Sequence, residues 1–253
     1  MELFQRVAPP APARPQGGGR CRADDRNAQA AIVFVASTGC TWRQLPPIFG
    51  ASWQTVQRRF TEWPQARGQA APQHPGRSGC GRRTGLVAVC HRLRQRPGRQ
   101  RGELTGPTPV DHGKNGSKIH VPVDRAGLPI CVGISAANTH DKLGLEPLVR
   151  SIPPVRSRRG PRRRRPTKLH ADKCYDHADL RRFLGGRGIV ARIARRGVER
   201  SDRLGRHRRV VERTMSWLNG FRRLHRRYER KPAHFQAFTG IATALIHHRH
   251  PTK

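Results

Sequence analysis

Hydrophobic positions at helical spacing predict three short helices near the start of the chain, within residues 24–63. The first helix follows Asp24, whose carboxylate can cap it, and it ends at Gly39. The second begins at Thr41 and stops at a pair of prolines, and the third begins after the capping residue Ser52. Three helices in this order predict a small all-α domain of the helix-turn-helix type, with a plain helical bundle as the alternative.

Beyond residue 102 the pattern changes to strands that alternate with helices. Residues 116–124 alternate as a strand, a turn follows at Ala126-Gly127, and residues 128–134 are the expected hairpin partner. The later elements are a helix over 142–150, a strand over 167–172, a helix over 177–184, a strand over 188–193, a helix over 206–224 and a helix from Pro232 onward. This order predicts an α/β core over residues 103–253.

Two segments lack such a pattern. Residues 1–23 are rich in Pro, Gly and Arg and are expected to form a flexible basic arm. Residues 64–102 contain no acid and are dominated by Arg, Gly, Pro and Gln, with hydrophobic periodicity only at residues 86–89. Composition predicts low order there, although so long a structureless stretch is unusual inside a compact domain.

The charge balance narrows the function classes. The chain of 253 residues has 51 Lys and Arg against 16 Asp and Glu, a formal net charge of +35. A field this positive attracts polyanions, which favours nucleic acid as the partner over a small metabolite. GC-rich coding, which enriches Arg, is the alternative explanation. The longest apolar run is far shorter than the roughly 20 residues of a membrane span. The six Cys show no zinc-site spacing, and a cytoplasmic location is expected.

Two stretches are candidates for contact with DNA. The third helix is predicted to expose a basic, amide-rich side, which consists of Gln54, Gln57, Arg58 and Arg59. The run Arg156–Arg165 has seven Arg in ten residues and is expected to be an exposed loop, because such charge cannot be buried. Its candidate phosphate contacts are Arg158, Arg159, Arg162 and Arg163.

Two carboxylates are candidates for chemistry. Asp172 follows the strand over residues 167–172, and strand ends are the usual ligand sites of an α/β sheet. Glu212 lies on a later helix, beside its hydrophobic stripe. The alternatives are a capping role for Asp172 and an Arg-paired surface role for Glu212. Spacing alone favours these alternatives.

Several short sequence words in the chain match those of one known protein family. Residues 169–176 (LHADKCYD) resemble a family segment hADKGYD, with Cys174 where the family usually has Gly. Residues 211–218 (VERTMSWL) resemble a family helix VERTxxWL. The chain also matches the family words TGPsPVD, GSKxH and NxxD at residues 105–111, 116–120 and 138–141, and the family's helix-turn-helix entry at residues 39–46. The family that these words resemble is the insertion-sequence DDE transposases; the resemblance is collinear and covers about residues 24–63 and 103–250.

This resemblance implies a ribonuclease H-like α/β core preceded by a small all-α helix-turn-helix domain. Two Asp and one Glu would hold two divalent metals that act on a DNA phosphodiester, and oxygen ligands suit Mg²⁺, with Mn²⁺ as a substitute. Asp172 matches the second Asp, Glu212 matches the Glu, and Arg208 matches the Arg of the R-x3-E word. The implied partners are element ends and target DNA, with a homodimer on DNA as one arrangement.

The first Asp of the family has no counterpart. The family places it on the first strand, upstream of the TGPsPVD word, and residues 81–101 contain no acid. One permissible back-translation of residues 86–96, shifted by one base, gives W-S-R-C-A-T-D-S-V-N, which contains Asp-Ser. We therefore hypothesise that compensating frameshifts scrambled about residues 64–101. Neither Asp111 nor Asp124 is expected to replace the missing ligand, and the segment is expected to lack the first strand or form it poorly.

Three functions follow in order of support. The first is a DNA transposase that cleaves element ends and transfers strands, in a copy that is defective as written. The second is a non-catalytic DNA- or RNA-binding basic protein, in which the metal site is lost. The third is a ribosome- or RNA-associated basic protein, which explains the charge but not Asp172 and Glu212 in their sequence words.

Overall fold

The computed structural model describes residues 23–66, 85–92, 102–108, 112–156, 162–195 and 205–250. Its helices are α1 (Asp25–Thr38), α2 (Trp53–Ala66), α3 (Asp141–Arg150), α4 (Ala178–Gly186), α5 (Gly205–Asn219) and α6 (Pro232–Arg249). Its strands are β1 (Gly85–Arg92), β2 (Gly106–Pro107), β3 (Asn115–Val123), β4 (Gly133–Ala136), β5 (Val155–Arg156), β6 (Arg162–Arg163), β7 (Lys168–Ala171) and β8 (Val190–Ile193). Short 3₁₀ turns lie at Trp42–Gln44, Pro47–Phe49, Lys173–Tyr175 and Arg222–His225.

The main sheet has six strands with β1 near its centre. β1 pairs antiparallel with β3 and parallel with β7, and β8 extends the parallel side. β4 and the short β2 both pair antiparallel with β3. The path β4-β3-β1-β7-β8 therefore has an antiparallel half and a parallel half. This mixed sheet with helices confirms the α/β prediction.

The expectation that the first strand is absent or poorly formed is wrong. β1 contributes eight residues, pairs with strands on both sides, and so closes the sheet between β3 and β7. The apolar residues 86–89 fit a central strand, because such strands are covered on both faces. The Arg, Gly and Pro composition of the flanking sequence concealed this signal. The predicted low order of 67–84 and 93–101 lies outside the described residues.

The predicted hairpin after β3 forms with a shifted register. Val123 bridges to Pro129, whereas His120 pairs with Gly133, so the returning chain has one extra residue between these pairs. An extra residue on one strand is a β-bulge. The regular partner strand is therefore β4, not the continuous stretch 128–134 that alternation predicts.

The Arg-rich run is not wholly a loop, which corrects another expectation. Val155 pairs with Arg163 and Arg156 pairs with Arg162, so β5 and β6 form a small antiparallel hairpin. High charge requires the side chains to reach solvent, but it does not prevent the backbone groups from pairing with each other. The middle of the run, residues 157–161, lies outside the described residues.

The N-terminal helices share a hydrophobic core with the sheet. α1, α2, α5 and α6 form one buried cluster with β3, which includes Ile32, Val35, Val56, Phe60, Ile119, Val121, Met215, Phe235 and Phe238. A second cluster joins α3 and α4 to β7 and includes Leu145, Leu148, Leu169, Ala171, Leu180 and Leu184. The predicted helix-turn-helix segment therefore packs on the rest of the chain rather than only on itself.

Buried arginines reinforce this shared core. Arg223 is only 4% exposed, and its Nη1 donates to the Cys40 carbonyl at 3.0 Å. Its Nε and Nη2 donate to one carboxylate oxygen of Glu229, at 3.0 and 2.8 Å. Arg227 is also buried, and its guanidinium donates to the Ser117 hydroxyl and to the backbone carbonyls of Glu103, Leu104, Glu229 and Arg230. Part of the Arg excess is therefore structural and unavailable to nucleic acid.

Candidate catalytic site and nucleic-acid interface

Asp172 lies where β7 ends, at the carboxyl end of the parallel half of the sheet. It precedes the 3₁₀ turn Lys173–Tyr175, and its carboxylate accepts the Lys173 backbone N–H at 2.6 Å. Asp172 is exposed. The capping interpretation is therefore confirmed, and the exposed carboxylate lies at a strand end, where its role as a ligand stays a prediction.

Glu212 is exposed on α5, and the two residues that follow it attach this helix to the sheet. Arg213 Nη2 donates to the Ala126 carbonyl at 2.6 Å, and the Thr214 hydroxyl donates to the Gly127 carbonyl at 2.6 Å. Thr214 is fully buried. The VERT word thus combines an outward carboxylate with two residues that bind the turn between β3 and β4.

Asp124 stabilises that turn from within. Its Oδ1 accepts the backbone N–H groups of Ala126 and Leu128, each at 2.8 Å, and the residue is 7% exposed. Burial raises the pKa of the Asp124 carboxyl, and the backbone donors oppose this shift. A carboxylate used in this way holds a turn and is not free for a metal. The other upstream acid, Asp111, lies outside the described residues.

Backbone topology places the two candidate carboxylates on neighbouring elements. α5 contacts β1, and Asp172 follows β7, the parallel neighbour of β1. Leu169 and Ala171 belong to the core under α3 and α4, so the alternation of β7 directs His170 to the side of α5. Close convergence of Asp172 and Glu212 on one ion stays a prediction.

The donor set does not fit a two-metal site. Among the described residues, no group of three or more His, Cys, Asp or Glu is placed to hold a metal ion. β1, the strand beside Asp172, contains no carboxylate residue in Gly85–Arg92. The family resemblance implies three carboxylates, two Asp and one Glu, around the two metals. Asp172 and Glu212 alone supply only part of that set.

The GSKxH and NxxD words turn out to be structural. Lys118 is buried, and its Nζ donates at 2.7 Å both to Asp141 Oδ1 and to the Thr139 carbonyl. His120 Nε2 and the Ser135 hydroxyl are 2.7 Å apart, and burial lowers the pKa of this imidazole. These contacts join β3 to β4 and to the start of α3. In the sequence, the GSKxH word could have indicated this structural role, because its polar residues alternate with apolar ones along a buried strand.

The predicted DNA-binding residues divide into several groups. Gln54, Gln57 and Arg58 are exposed on α2 as predicted. The prediction for Arg59 is wrong: it is 3% exposed, it pairs with Asp25, and its Nη2 donates to the Ala23 carbonyl. A helix turns by about 100° per residue, so Arg59 beside the exposed Arg58 points toward α1. Arg208 lies in α5, Arg162 and Arg163 in β6, and Arg158 and Arg159 outside the described residues.

The mixed sheet β4-β3-β1-β7-β8, with helices packed on it, is a ribonuclease H-like α/β domain. The chain belongs to the transposase DDE domain family, whose sequence model matches residues 87–246. A second model, described as "Putative transposase of IS4/5 family", matches residues 1–70. The family resemblance and the ribonuclease H-like α/β fold expected from sequence are thus confirmed.

Two relatives come from Burkholderia cepacia. The chain is 43% identical over 142 residues to "Putative transposase for insertion sequence element IS402", which covers 56% of this chain and 67% of the relative. It is 41% identical over 61 residues to "Insertion element IS402 uncharacterized 16.2 kDa protein", covering 24% of this chain and 42% of the relative.

Solved structures are more distant. A Mos1 transposase paired-end complex aligns at 14% identity and a TM-score of 0.27, over 75% of this chain and 65% of that chain. A simian T-cell lymphotropic virus intasome aligns at 12% identity and a TM-score of 0.33, over 84% of this chain and 65% of that chain. The present chain therefore spans just under two thirds of either. None of the helices in the described ranges is long and apolar enough to span a membrane.

Proposed function

We propose that this chain is an insertion-sequence transposase that binds DNA but does not complete the cleavage and strand-transfer chemistry of its family. One observation carries the proposal. Asp172 and Glu212 lie exposed in their family words, while β1, the strand that should supply the first Asp, has no acid. The frameshift hypothesis for about residues 64–101 accounts for this loss and for the absence of acids around it.

The proposed roles follow the sequence words. Asp172 and Glu212 are the proposed ligands for Mg²⁺, which oxygen ligands favour, with Mn²⁺ as a substitute. Without the first Asp, these two carboxylates are two of the three that the family resemblance implies for two-metal chemistry. The strongly positive electrostatic field of the protein also repels a divalent cation and so weakens its binding at this site. We therefore expect weak metal binding.

DNA binding does not depend on the metal site. The net charge of +35 and the exposed residues Gln54, Gln57 and Arg58 on α2 support contact with duplex DNA. We propose that Arg158, Arg159, Arg162, Arg163 and Arg208 contribute phosphate contacts. The proposed partners are element ends and target DNA, bound in the cytoplasm, with a homodimer on DNA as the working unit.

A second candidate is a basic protein that binds DNA or RNA without any catalytic role. The acid-free β1 favours it, because binding alone needs no metal ligands. The two candidates differ in preference for nucleic acid. A transposase derived from an active element should prefer duplex DNA with the ends of that element, whereas a general polyanion binder should bind structured RNA equally well.

The test is the affinity for a duplex carrying the element ends, a scrambled duplex and a structured RNA, measured from 50 to 200 mM salt. Each neutralised phosphate contributes about −0.9 to the slope of log K against log salt. We expect DNA affinity to fall by more than tenfold over this range and to be highest for the element ends. Equal affinity for all three probes would favour the general binder, and a change of less than tenfold would contradict the electrostatic account.

A further inference from the structure

An exposed apolar side chain and two exposed amides lie near the start of α2. Ile48 belongs to the 3₁₀ turn Pro47–Phe49, five residues before Trp53, the first residue of α2. It is 85% exposed, the largest value among the large hydrophobic side chains of the described residues. Gln54 and Gln57 are also exposed, and their spacing of three residues puts them on one side of the helix. We call Ile48, Gln54 and Gln57 the reading surface.

The turn holds Ile48 in its outward position. The Gly50 N–H donates to the Pro47 carbonyl at 2.9 Å, and Gly50 closes the turn with a left-handed backbone, φ +61°. The ring of Pro47 restricts the backbone at the first position of the turn. The Phe49 ring packs against Phe34 of α1, with 5.4 Å between the ring centres. Because the backbone is already ordered, contact between Ile48 and a partner costs little conformational entropy.

The surroundings of the reading surface are positively charged. No acid occurs in the sequence between Asp25 and Glu62. Asp25 pairs with the buried Arg59, and Glu62 pairs with Arg58 at 3.6 Å, so both flanking carboxylates have a cationic partner. The guanidinium of Arg43, an exposed residue, lies 5.9 Å from the centre of the first aromatic ring of α2. This charge favours duplex DNA as the occupant of the surface.

The side chains of the reading surface match the chemistry of A·T base pairs. A Gln amide can make two hydrogen bonds to the N6 and N7 atoms of adenine, and an aliphatic side chain can contact the methyl group of thymine. Both features lie in the major groove, which is about 12 Å wide and admits one α-helix. Ile48 and Gln54 are six residues apart, so at most about 20 Å separates them, or about six base-pair steps of 3.4 Å. One helix in one groove can therefore bring all three side chains to neighbouring base pairs.

We infer that the reading surface recognises A·T base pairs in the major groove, with Gln54 and Gln57 on adenine and Ile48 on a thymine methyl group. This inference rests on the proposed function, because it assumes that the chain binds duplex DNA through α2. It adds the identity of the bases, which contacts to phosphates do not specify. Arg43 and Arg58 contribute affinity for any sequence through such phosphate contacts.

The first measurement tests the preference for A·T pairs. The full chain selects from a pool of random duplexes of about 20 base pairs at about 200 mM salt, where non-specific attraction to phosphates is weak. We expect the unmodified chain to enrich duplexes with neighbouring A·T pairs. In Q54A/Q57A, the preference for A·T over G·C at these positions should fall about tenfold or more, because a bidentate amide contact gives discrimination of this size.

The second measurement isolates Ile48. Replacing thymine with deoxyuracil in the selected duplex removes only the methyl group. We expect the affinity of the unmodified chain to fall about fourfold, the effect of one buried methyl group, whereas I48A should bind both duplexes equally. The matched control is L143A, which truncates another exposed hydrophobic side chain, 61% exposed on α3, and it should lose as much affinity as the unmodified chain.

Three outcomes would overturn the inference while leaving the proposed function intact. The first is a selected pool without A·T enrichment, and the second is an enrichment that Q54A/Q57A leaves unchanged. The third is an equal loss on deoxyuracil substitution in I48A and in the unmodified chain, which would show that Ile48 does not contact the methyl group. Absence of binding to any duplex would instead contradict the proposed function itself. Circular dichroism checks that each variant is folded, and because the replaced side chains are exposed, we expect no loss of structure.

Discussion

The Thr214 hydroxyl donates a 2.6 Å hydrogen bond to the Gly127 carbonyl, and this contact joins α5 to the turn between β3 and β4. A Cβ atom at Gly127 would lie only 3.1 Å from the Thr214 hydroxyl oxygen, so the two residues meet closely. Glu212 lies two residues before Thr214 on the same helix. The position of the Glu212 carboxylate along the sheet therefore depends on how this turn is held.

Replacing Thr214 with Val keeps the size of the side chain but removes the donor. The Gly127 carbonyl then loses this bond within a buried contact, and we expect the free energy of unfolding to fall by about 1–3 kcal/mol. Urea denaturation measures this change. The control is Ser216→Ala, an exposed position on the same helix, which should stay within about 0.5 kcal/mol of the unmodified chain. A loss no larger than that of the control would show that the contact is unimportant.

Two glycines test whether the N-terminal helices dock on the rest of the chain. Gly39 and Gly50 both have left-handed backbones, with φ of +72° and +61°, so Ala costs about 1–2 kcal/mol at either. At Gly39 a Cβ would lie 2.8 Å from the Arg222 Cβ and 3.0 Å from its backbone carbon, whereas at Gly50 the nearest atom is 3.7 Å away.

We expect G39A to destabilise the chain by about 1–3 kcal/mol more than G50A, because only Gly39 is pressed against another element. Thermal and urea denaturation of both variants measure the difference. If the two variants lose the same stability, the contact between the N-terminal helices and Arg222 does not form in solution.

The pH dependence of stability should report on His120. Burial lowers the pKa of this imidazole from 6.5; the charge of Asp141 opposes the shift, and the charge of Lys118 adds to it. The folded state therefore holds His120 neutral, while the unfolded chain binds a proton more readily as the pH falls. The stability that His120 contributes is present above about pH 6.5 and is lost as the pH falls below that value.

Urea midpoints at pH 7.5 and 5.5 test this expectation. The unmodified chain should be less stable at pH 5.5, and H120Q should show a smaller difference between the two pH values. His234, whose pKa is also lowered by burial, should retain part of the dependence. H248Q, at an exposed position, serves as the control and should behave like the unmodified chain. An unchanged pH difference in H120Q would contradict the role of His120.

The sequence predicted several elements well where apolar and polar positions follow a regular helix or strand period. The helix predicted from Pro232 and the strands around 167–172 and 188–193 appear as α6, β7 and β8 within a few residues. β1 was missed because four apolar residues are a weak signal between basic, Gly- and Pro-rich flanks. The hairpin partner of β3 was displaced by a bulge, which alternation does not reveal.

For the site, the sequence words named Asp172 and Glu212 as candidates, and both side chains are exposed in the structure, while their role as ligands stays a prediction. Local sequence could not show that Arg59, Arg223 and Arg227 are buried. Each depends on partners distant in the chain, such as Asp25 for Arg59 and the Cys40 carbonyl for Arg223. In a chain with 51 basic residues, no feature of the composition separates the buried structural arginines from those that we propose contact DNA.

The central claim is that the chain lacks one catalytic carboxylate, and metal-dependent DNA cleavage tests it most directly. The substrate is a duplex with the ends of the element, incubated with Mg²⁺ or Mn²⁺. The chain is compared with a version in which the reading frame of residues 64–101 is restored from the genomic sequence, and with the same version carrying Asp172→Asn. We expect the restored version to cut, and its Asp172→Asn variant and the chain as written to stay at the metal-free background. If the chain as written cuts as fast as the restored version, both the missing-ligand account and the frameshift hypothesis are wrong.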